Sequence, residues 1–255
     1  MTIERLYCIS HQGSPRHVIA TGSDARLVEG DAFGQYELGA PVALDPAALL
    51  PPVRPTKIVA IGLNYKDHAA EMNKALPPEP LMFMKPSTAV IGPGDAIALP
   101  MWAGEIHHEA ELAVVIGRRA SRVSAADAMS YVLGLTCGND VTARDLQKKD
   151  VQYTRGKGFD TFAPIGPSIA LGLDPSALTI EGLVNGAVRQ SSSTRELIFP
   201  VATLIEHVSR VMTLLPGDII LTGTPSGVGP LAPGDTVTVR IEGIGELTNR
   251  VEAQP

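Results

Sequence analysis

The stretch Glu109-Ala110-Glu111-Leu112-Ala113-Val114-Val115-Ile116-Gly117 places two carboxylates at the head of an otherwise apolar run. Such a run reads as a buried β-strand, whose successive side chains point to opposite faces. Glu109, Glu111, Ala113 and Val115 then share one face, and Leu112, Val114 and Ile116 share the other. Two like charges side by side repel, and burying either one without a partner is costly. A divalent cation removes both objections, and oxygen-only ligands favour Mg2+, Mn2+ or Ca2+ over Zn2+. The competing reading starts the strand after Glu111 and leaves both glutamates solvated. His107 and His108 lie just upstream, but adjacent strand residues face opposite ways, so at most one of them can join the pair.

Downstream, the apolar strand Leu133-Gly134-Leu135-Thr136-Cys137 runs into Gly138-Asn139-Asp140. Asp140 at a strand end is placed to complete a facial set of three oxygens with Glu109 and Glu111. Taken alone, Asn-Asp here is also an ordinary N-cap or turn signal. Arg144 and Gln147 follow on what reads as a helical turn.

Working outward, Lys57-Ile58-Val59-Ala60-Ile61-Gly62 reads as a buried strand, as does Ile219-Ile220-Leu221-Thr222. Thr236 to Ile241 alternates with period two. Pro-Gly-Asp recurs at 93–95, 216–218 and 233–235, where Pro presets a turn and Gly supplies positive φ. Ser124-Ala125-Ala126-Asp127 resembles a capping box and predicts a helix through Val132. Apolar residues at 201, 204, 205, 208, 211, 212 and 215 predict a second helix over Val201–Leu215. Strands outnumber helices without regular alternation, which disfavours a doubly wound parallel sheet. The expected fold is a mixed, β-dominated α+β roll with peripheral helices. Leu49-Leu50-Pro51-Pro52-Val53-Arg54-Pro55 reads as an extended linker. It divides a small N-terminal β domain, residues 1–55, from a catalytic domain, residues 56–255.

Composition narrows the function. Aromatic residues make up 4% of the 255 and the net charge is −6, which argues against nucleic acid as a partner. No run of about 18 apolar residues suggests a membrane span, and Met1–Tyr7 lacks a signal-peptide core. With only Cys8 and Cys137 as thiols, a cytoplasmic location with reduced cysteines is expected.

From residue 57 to about 250 the chain resembles the fumarylacetoacetate hydrolase family. The resemblance rests on ordered motifs: Gly62-Leu63-Asn64-Tyr65-Lys66-Asp67-His68-Ala69-Ala70-Glu71, Phe83-Met84-Lys85-Pro86, Glu109-Ala110-Glu111-Leu112, Asn139-Asp140 through Gln147, Gly156-Lys157-Gly158-Phe159-Asp160, and Gly217-Asp218 through Gly223-Thr224-Pro225-Ser226-Gly227. It implies a β-roll core, a homodimer, and Mg2+ or Mn2+ on Glu109, Glu111 and Asp140. It implies small keto or enol acid substrates and three kinds of reaction: hydrolytic C–C cleavage, decarboxylation, and keto–enol or double-bond isomerisation. His68 and Glu71 match a catalytic pair on a lid helix, and their spacing of three puts both on one helix face. Without the resemblance the same pair would read as a solvated helix turn. Lys157 matches a family lysine, and Arg144 and Gln147 match substrate-lining positions. The Gly-rich loop after Thr222 is no nucleotide P-loop; its N–H groups and Thr224 are candidates for holding a substrate carboxylate, or else form a tight connection.

Asn64 stands where the fumarylacetoacetate-cleaving members carry an additional Asp ligand, which argues against that substrate. The leading expectation is a C–C hydrolase for acylpyruvate-like acids. Its rivals are an isomerase for a 2-hydroxyhepta-2,4-diene-1,7-dioate-type acid, an oxaloacetate decarboxylase, and, from another class, a non-catalytic metal-stabilised binding protein.

Overall fold

The computed structural model describes residues 2–254. Its backbone is a mixed twelve-stranded sheet, a five-stranded sheet and a three-stranded sheet, with few helices. Ten strands of the large sheet run in the order Tyr36–Pro41, Asp24–Gly30, Ser14–Thr21, Glu4–His11, Ala163–Leu171, Val132–Asn139, Ala110–Ile116, Ile219–Leu221, Ile58–Gly62, Leu81–Lys85; off this path, Leu49–Leu50 pairs with Glu4–His11 and Val90–Ile91 with Ala163–Leu171. The N-terminal meander is part of this sheet, because Arg5 and Leu6 pair with Ala170 and Ile169. The proline-rich stretch after Leu50 packs rather than hangs free, with Val53 buried in the core.

Ala110–Ile116 is buried along its whole length and lies between two of the four core clusters among the described residues. Leu112, Val114 and Ile116 pack into one cluster with Leu204, Ile205, Val239 and Ile241. Ala113 and Val115 pack into the other with Ile58, Ala60, Ile165 and Leu221. The alternation expected of this strand is thus the alternation observed.

Three neighbouring strands of the large sheet continue, after a break, as three neighbours of the small one. Ala110–Ile116 is preceded by Ile106–His108, with Glu109 between them. Val132–Asn139 is followed by Thr142–Ala143 across Asp140 and Val141. Ile219–Leu221 is followed by Gly229–Pro230 across the Gly-rich loop. The order is the same in both sheets, so the three breaks fall side by side.

The helices are α1 (Lys66–Glu71), α2 (Arg144–Asp150), α3 (Thr154–Lys157) and α4 (Val201–Val211). Two helix expectations need correction. Ser124 does hydrogen-bond Asp127, but the segment forms only turns and a 3-10 turn at Ala128–Tyr131, because Val132 is already drawn into the large sheet. Helix α4 stops at Val211 because Met212 turns extended and Leu214 pairs with Ala120. The apolar residues at 212 and 215 continue a helical period by spacing alone.

The three Pro-Gly-Asp turns share one construction. Gly94, Gly217 and Gly234 have φ of 78°, 85° and 94°. Each aspartate takes the backbone N–H of the residue three positions earlier: Gly92 to Asp95, Leu215 to Asp218 and Ala232 to Asp235. Asp218 is fully buried and also accepts from the Thr56 hydroxyl at 2.6 Å and pairs with Lys57, fastening the turn to the strand entering at Ile58. Burial acts to raise its pKa, but the bonds from Lys57, Thr56 and Leu215 outweigh this and hold it below its ordinary value. A carboxylate depressed in this way stabilises fully above its unfolded pKa of about 3.9 and loses that contribution as pH falls through its folded value. Asp218→Ala is expected to cost about 3 kcal/mol in denaturant unfolding near neutral pH, narrowing below about pH 4. A difference that stays constant into strong acid would contradict the buried-carboxylate reading.

Candidate active site

The three strand breaks deliver the carboxylates. Glu109 sits in the first break, where its N–H donates to the Asn139 side chain at 2.9 Å and its C=O accepts from Asp140 N–H at 3.0 Å. Glu111 lies one strand period further on, and Asp140 opens the second break. All three are buried, and one oxygen from each lies within 4.8 Å of the others. The third break supplies Gly223, whose N–H donates to Glu111 Oε2 at 2.8 Å. Only glycine serves there: φ is +101°, and a Cβ would lie 2.7 Å from Asn64 Cβ. Asn64 is spent on the backbone, donating to Thr222 and Phe199 carbonyls and accepting from Phe199 N–H.

The cations around the trio are unevenly shared. Lys157 Nζ donates to Glu109 at 2.9 Å, Asp140 at 2.6 Å and the Thr142 hydroxyl at 2.7 Å, which uses all three of its hydrogens. Lys85, from the end of Leu81–Lys85, reaches Asp140 at 2.5 Å and the Val141 carbonyl at 3.2 Å. Arg144 at the start of α2 lies 2.6 Å from Glu109 without the alignment of a hydrogen bond, and donates to Gln147 at 3.0 Å. Glu111 pairs with none of them.

The titrations follow that division. Burial pulls upward on Glu109, but Lys157 and Arg144 win and hold it far below the carboxylate range. Burial would lower Lys157, yet Asp140 and Glu109 raise it. At Glu111 burial, Asp140 and Glu109 all act in one direction and push the carboxyl well above its ordinary value. A divalent cation fits this donor set: three hard oxygens converge, and the one carboxylate lacking a positive partner faces the other two.

A cavity of about 600 Å3 opens onto this cluster. His68 and Glu71 of α1 stand on its wall, with His68 Nδ1 2.9 Å from Glu71 Oε2. Glu71 Oε1 accepts from Gly227 N–H at 3.0 Å, and Asp67 accepts from the Ser192 hydroxyl at 2.6 Å, so the helix is docked at both ends. It terminates in a Schellman turn, with Asn73 at φ 51° and Lys74 N–H bonded to Ala69 C=O. Arg144, Gln147, Lys157 and Thr224 also line the cavity, so every candidate residue named from the sequence meets here. His107 lines it too and pairs with Glu105. His108 faces away toward Gln190, and burial lowers its pKa to about 4, keeping it neutral. Sequence reasoning gave no role to Lys85 or Asn139, although both stand in the quoted motifs, and did not single out Gln190. Lys85 had a signal, a charge closing an apolar strand, whereas Gln190 sits in a polar run that looks solvated.

Residues 57–252 match the family model for the fumarylacetoacetate (FAA) hydrolase C-terminal domain. A protein of Archaeoglobus fulgidus is 54% identical over 89% of this chain and 92% of its own. A mitochondrial oxaloacetate tautomerase of Bos taurus is 46% identical over 80% of this chain and 68% of its own. Among solved structures, the 2-hydroxyhepta-2,4-diene-1,7-dioate isomerase of Mycobacterium marinum is 45% identical at a TM-score of 0.91, covering 98% of each chain. The fumarylacetoacetate hydrolase of Exiguobacterium antarcticum is 34% identical at a TM-score of 0.90, covering 98% of this chain and all of its own. The chain belongs to the fumarylacetoacetate hydrolase family and is an enzyme of that family, with the family's β-rich fold.

Glu111→Gln keeps a partner for Gly223 N–H but removes the unpaired charge. A ligand present at about 100 times its Kd stabilises by about 2.7 kcal/mol. Excess Mg2+ or Mn2+ should therefore raise the melting temperature of the wild type and leave that of Glu111→Gln unmoved. An equal rise in both would remove Glu111 from the metal site.

Proposed function

We propose that this enzyme isomerises a small keto or enol diacid by moving a proton next to a carboxylate-bearing carbonyl, using Mg2+ or Mn2+. The observation that carries this reading is the polarity of the cavity. Its lining includes the buried carboxylate trio and Lys157, with Arg144 beside them. It also includes the apolar side chains Ile61, Leu63, Leu81, Phe83 and Val228. Lys74 and Lys148 stand on its lining, and among the described residues neither makes an ion pair. A dioate, with a carboxylate at each end and hydrocarbon between them, offers a partner to each of these three kinds of lining residue.

Formally, Lys85, Lys157 and Arg144 cancel Glu109, Glu111 and Asp140, so a dication leaves this cluster positive and suited to an anionic substrate. That cation, held by Glu109, Glu111 and Asp140, would supply Lewis-acid stabilisation of the negative charge developing on the substrate. Gln147 keeps both amide hydrogens for a substrate carboxylate, since its oxygen alone is taken by Arg144. Lys157 acts on the carboxylates, its hydrogens being committed to them and to Thr142. His68 donates from Nδ1 to Glu71, which leaves Nε2 as the atom that takes a proton and returns it. Glu71, fixed by Gly227, holds the imidazole in that tautomer.

Hydrolytic cleavage of an acylpyruvate-like acid is the second reading, because the same Nε2 can take a proton from water. The relatives named for isomerisation and tautomerisation, at 45% and 46% identity, favour the first over the hydrolase at 34%. A homodimer and a cytoplasmic location are further proposals from the family resemblance; among the described residues no helix is long and apolar enough to cross a membrane.

The test is turnover in D2O with Mg2+, then with chelator, on a 2-hydroxy-diene-dioate, an acylpyruvate and oxaloacetate. Isomerisation predicts deuterium entering an intact product from the dioate, dependence on metal, and a fall of about 100-fold or more in kcat for His68→Ala. Lys148→Ala should raise KM for the dioate more than for a monoacid. Cleavage into two fragments would install the hydrolase reading, and turnover without metal would reject the mechanism.

A further inference from the structure

Gln190 is fully buried on the strand Ala187–Ser193, in a different sheet from the carboxylates, and every hydrogen-bonding position on its amide is used. Its oxygen accepts from Ala110 N–H at 2.9 Å and from His108 Nδ1 at 3.1 Å. Its nitrogen donates to the Pro225 carbonyl at 2.8 Å and to Thr224 Oγ1 at 2.8 Å. The orientation of this amide is not free. A backbone N–H can only donate and a carbonyl can only accept, so Ala110 fixes the oxygen and Pro225 fixes the nitrogen.

The consequence falls on Thr224, which lines the cavity one residue beyond the glycine that touches Glu111. A hydroxyl has one donor and two acceptor positions. Gln190 occupies one acceptor position, and the donor is spent on the Ala110 carbonyl at 2.9 Å. One lone pair remains.

We infer that Thr224 meets the substrate only as a hydrogen-bond acceptor, with Gln190 as the positioning residue that imposes this polarity, so that the site selects the enol form of its substrate over the keto form. At neutral pH a keto acid offers only acceptors to its surroundings, and against Thr224 these set lone pair against lone pair. The enol of the same acid carries an O–H that Thr224 can receive. On this reading the Thr224 hydroxyl does not donate to a substrate carboxylate, since its hydrogen is committed to Ala110. The inference rests on the cavity being the keto/enol acid site proposed above.

The test is calorimetric titration of the full chain, loaded with Mg2+, by two small chelating acids: glycolate, which carries an O–H beside its carboxylate, and oxalate, which at neutral pH carries none. Thr224→Val should weaken glycolate by about 3- to 10-fold and leave oxalate within about twofold. Thr224→Ser should restore glycolate. Gln190→Met, which frees the hydroxyl to turn, should narrow the difference between the two acids, and because this is a ratio it does not move with the folded fraction. If the wild type binds both acids and Thr224→Val weakens oxalate as much as glycolate, or glycolate not at all, the polarity assignment is overturned while the cavity stands. If the wild type binds neither acid with Mg2+, the substrate reading of the cavity falls, and this inference with it.

Discussion

Glu111 is a carboxylate with no positive partner, buried on a strand whose other neighbours are apolar or already paired. The arrangement of this molecule turns on that fact. Its neighbours Glu109 and Asp140 are served by Arg144, Lys157 and Lys85, which come from three separate elements. Glu111 receives only a backbone N–H, which cannot neutralise a charge held away from water. The formal charges of the cluster balance, but they are unevenly paired: Glu111 alone has no cation beside it, and the three converging oxygens could hold a divalent ion there.

The fold makes such a cluster possible because three adjacent strands leave one sheet and enter another at the same level. A continuous strand would present its residues evenly to both faces. A break lets the backbone turn, so that Glu109, Asp140 and the Gly223 N–H converge on one point. The same breaks open the cavity, and helix α1 closes over it by anchoring Glu71 to Gly227 of the third break. His68, the carboxylates and the Gly-rich loop are therefore linked: Gly227 holds the Glu71 that pairs with His68, and Gly223 of the same loop supplies the amide that touches Glu111.

Much of this was legible in the sequence because it depends on local rules. The alternation in 109–116 assigned both faces of the central strand, and the spacing of His68 and Glu71 put them on one helix face. Each Pro-Gly-Asp triplet specified its own turn. What was not legible depends on partners distant in the chain. Nothing near Gln190 announces that it will be buried against Ala110 and Thr224, and nothing near Lys157 shows that its hydrogens are already spoken for. The helices predicted through Val132 and to Leu215 failed for the same reason, since sheet pairing at Val132 and Leu214 overrides a helical period.

The most direct measurement is X-ray diffraction from crystals soaked in Mn2+, with an anomalous difference map. The result expected is a single strong peak within ligand distance of Glu109, Glu111 and Asp140. A fully occupied Mn2+ elsewhere with nothing between these carboxylates would contradict it.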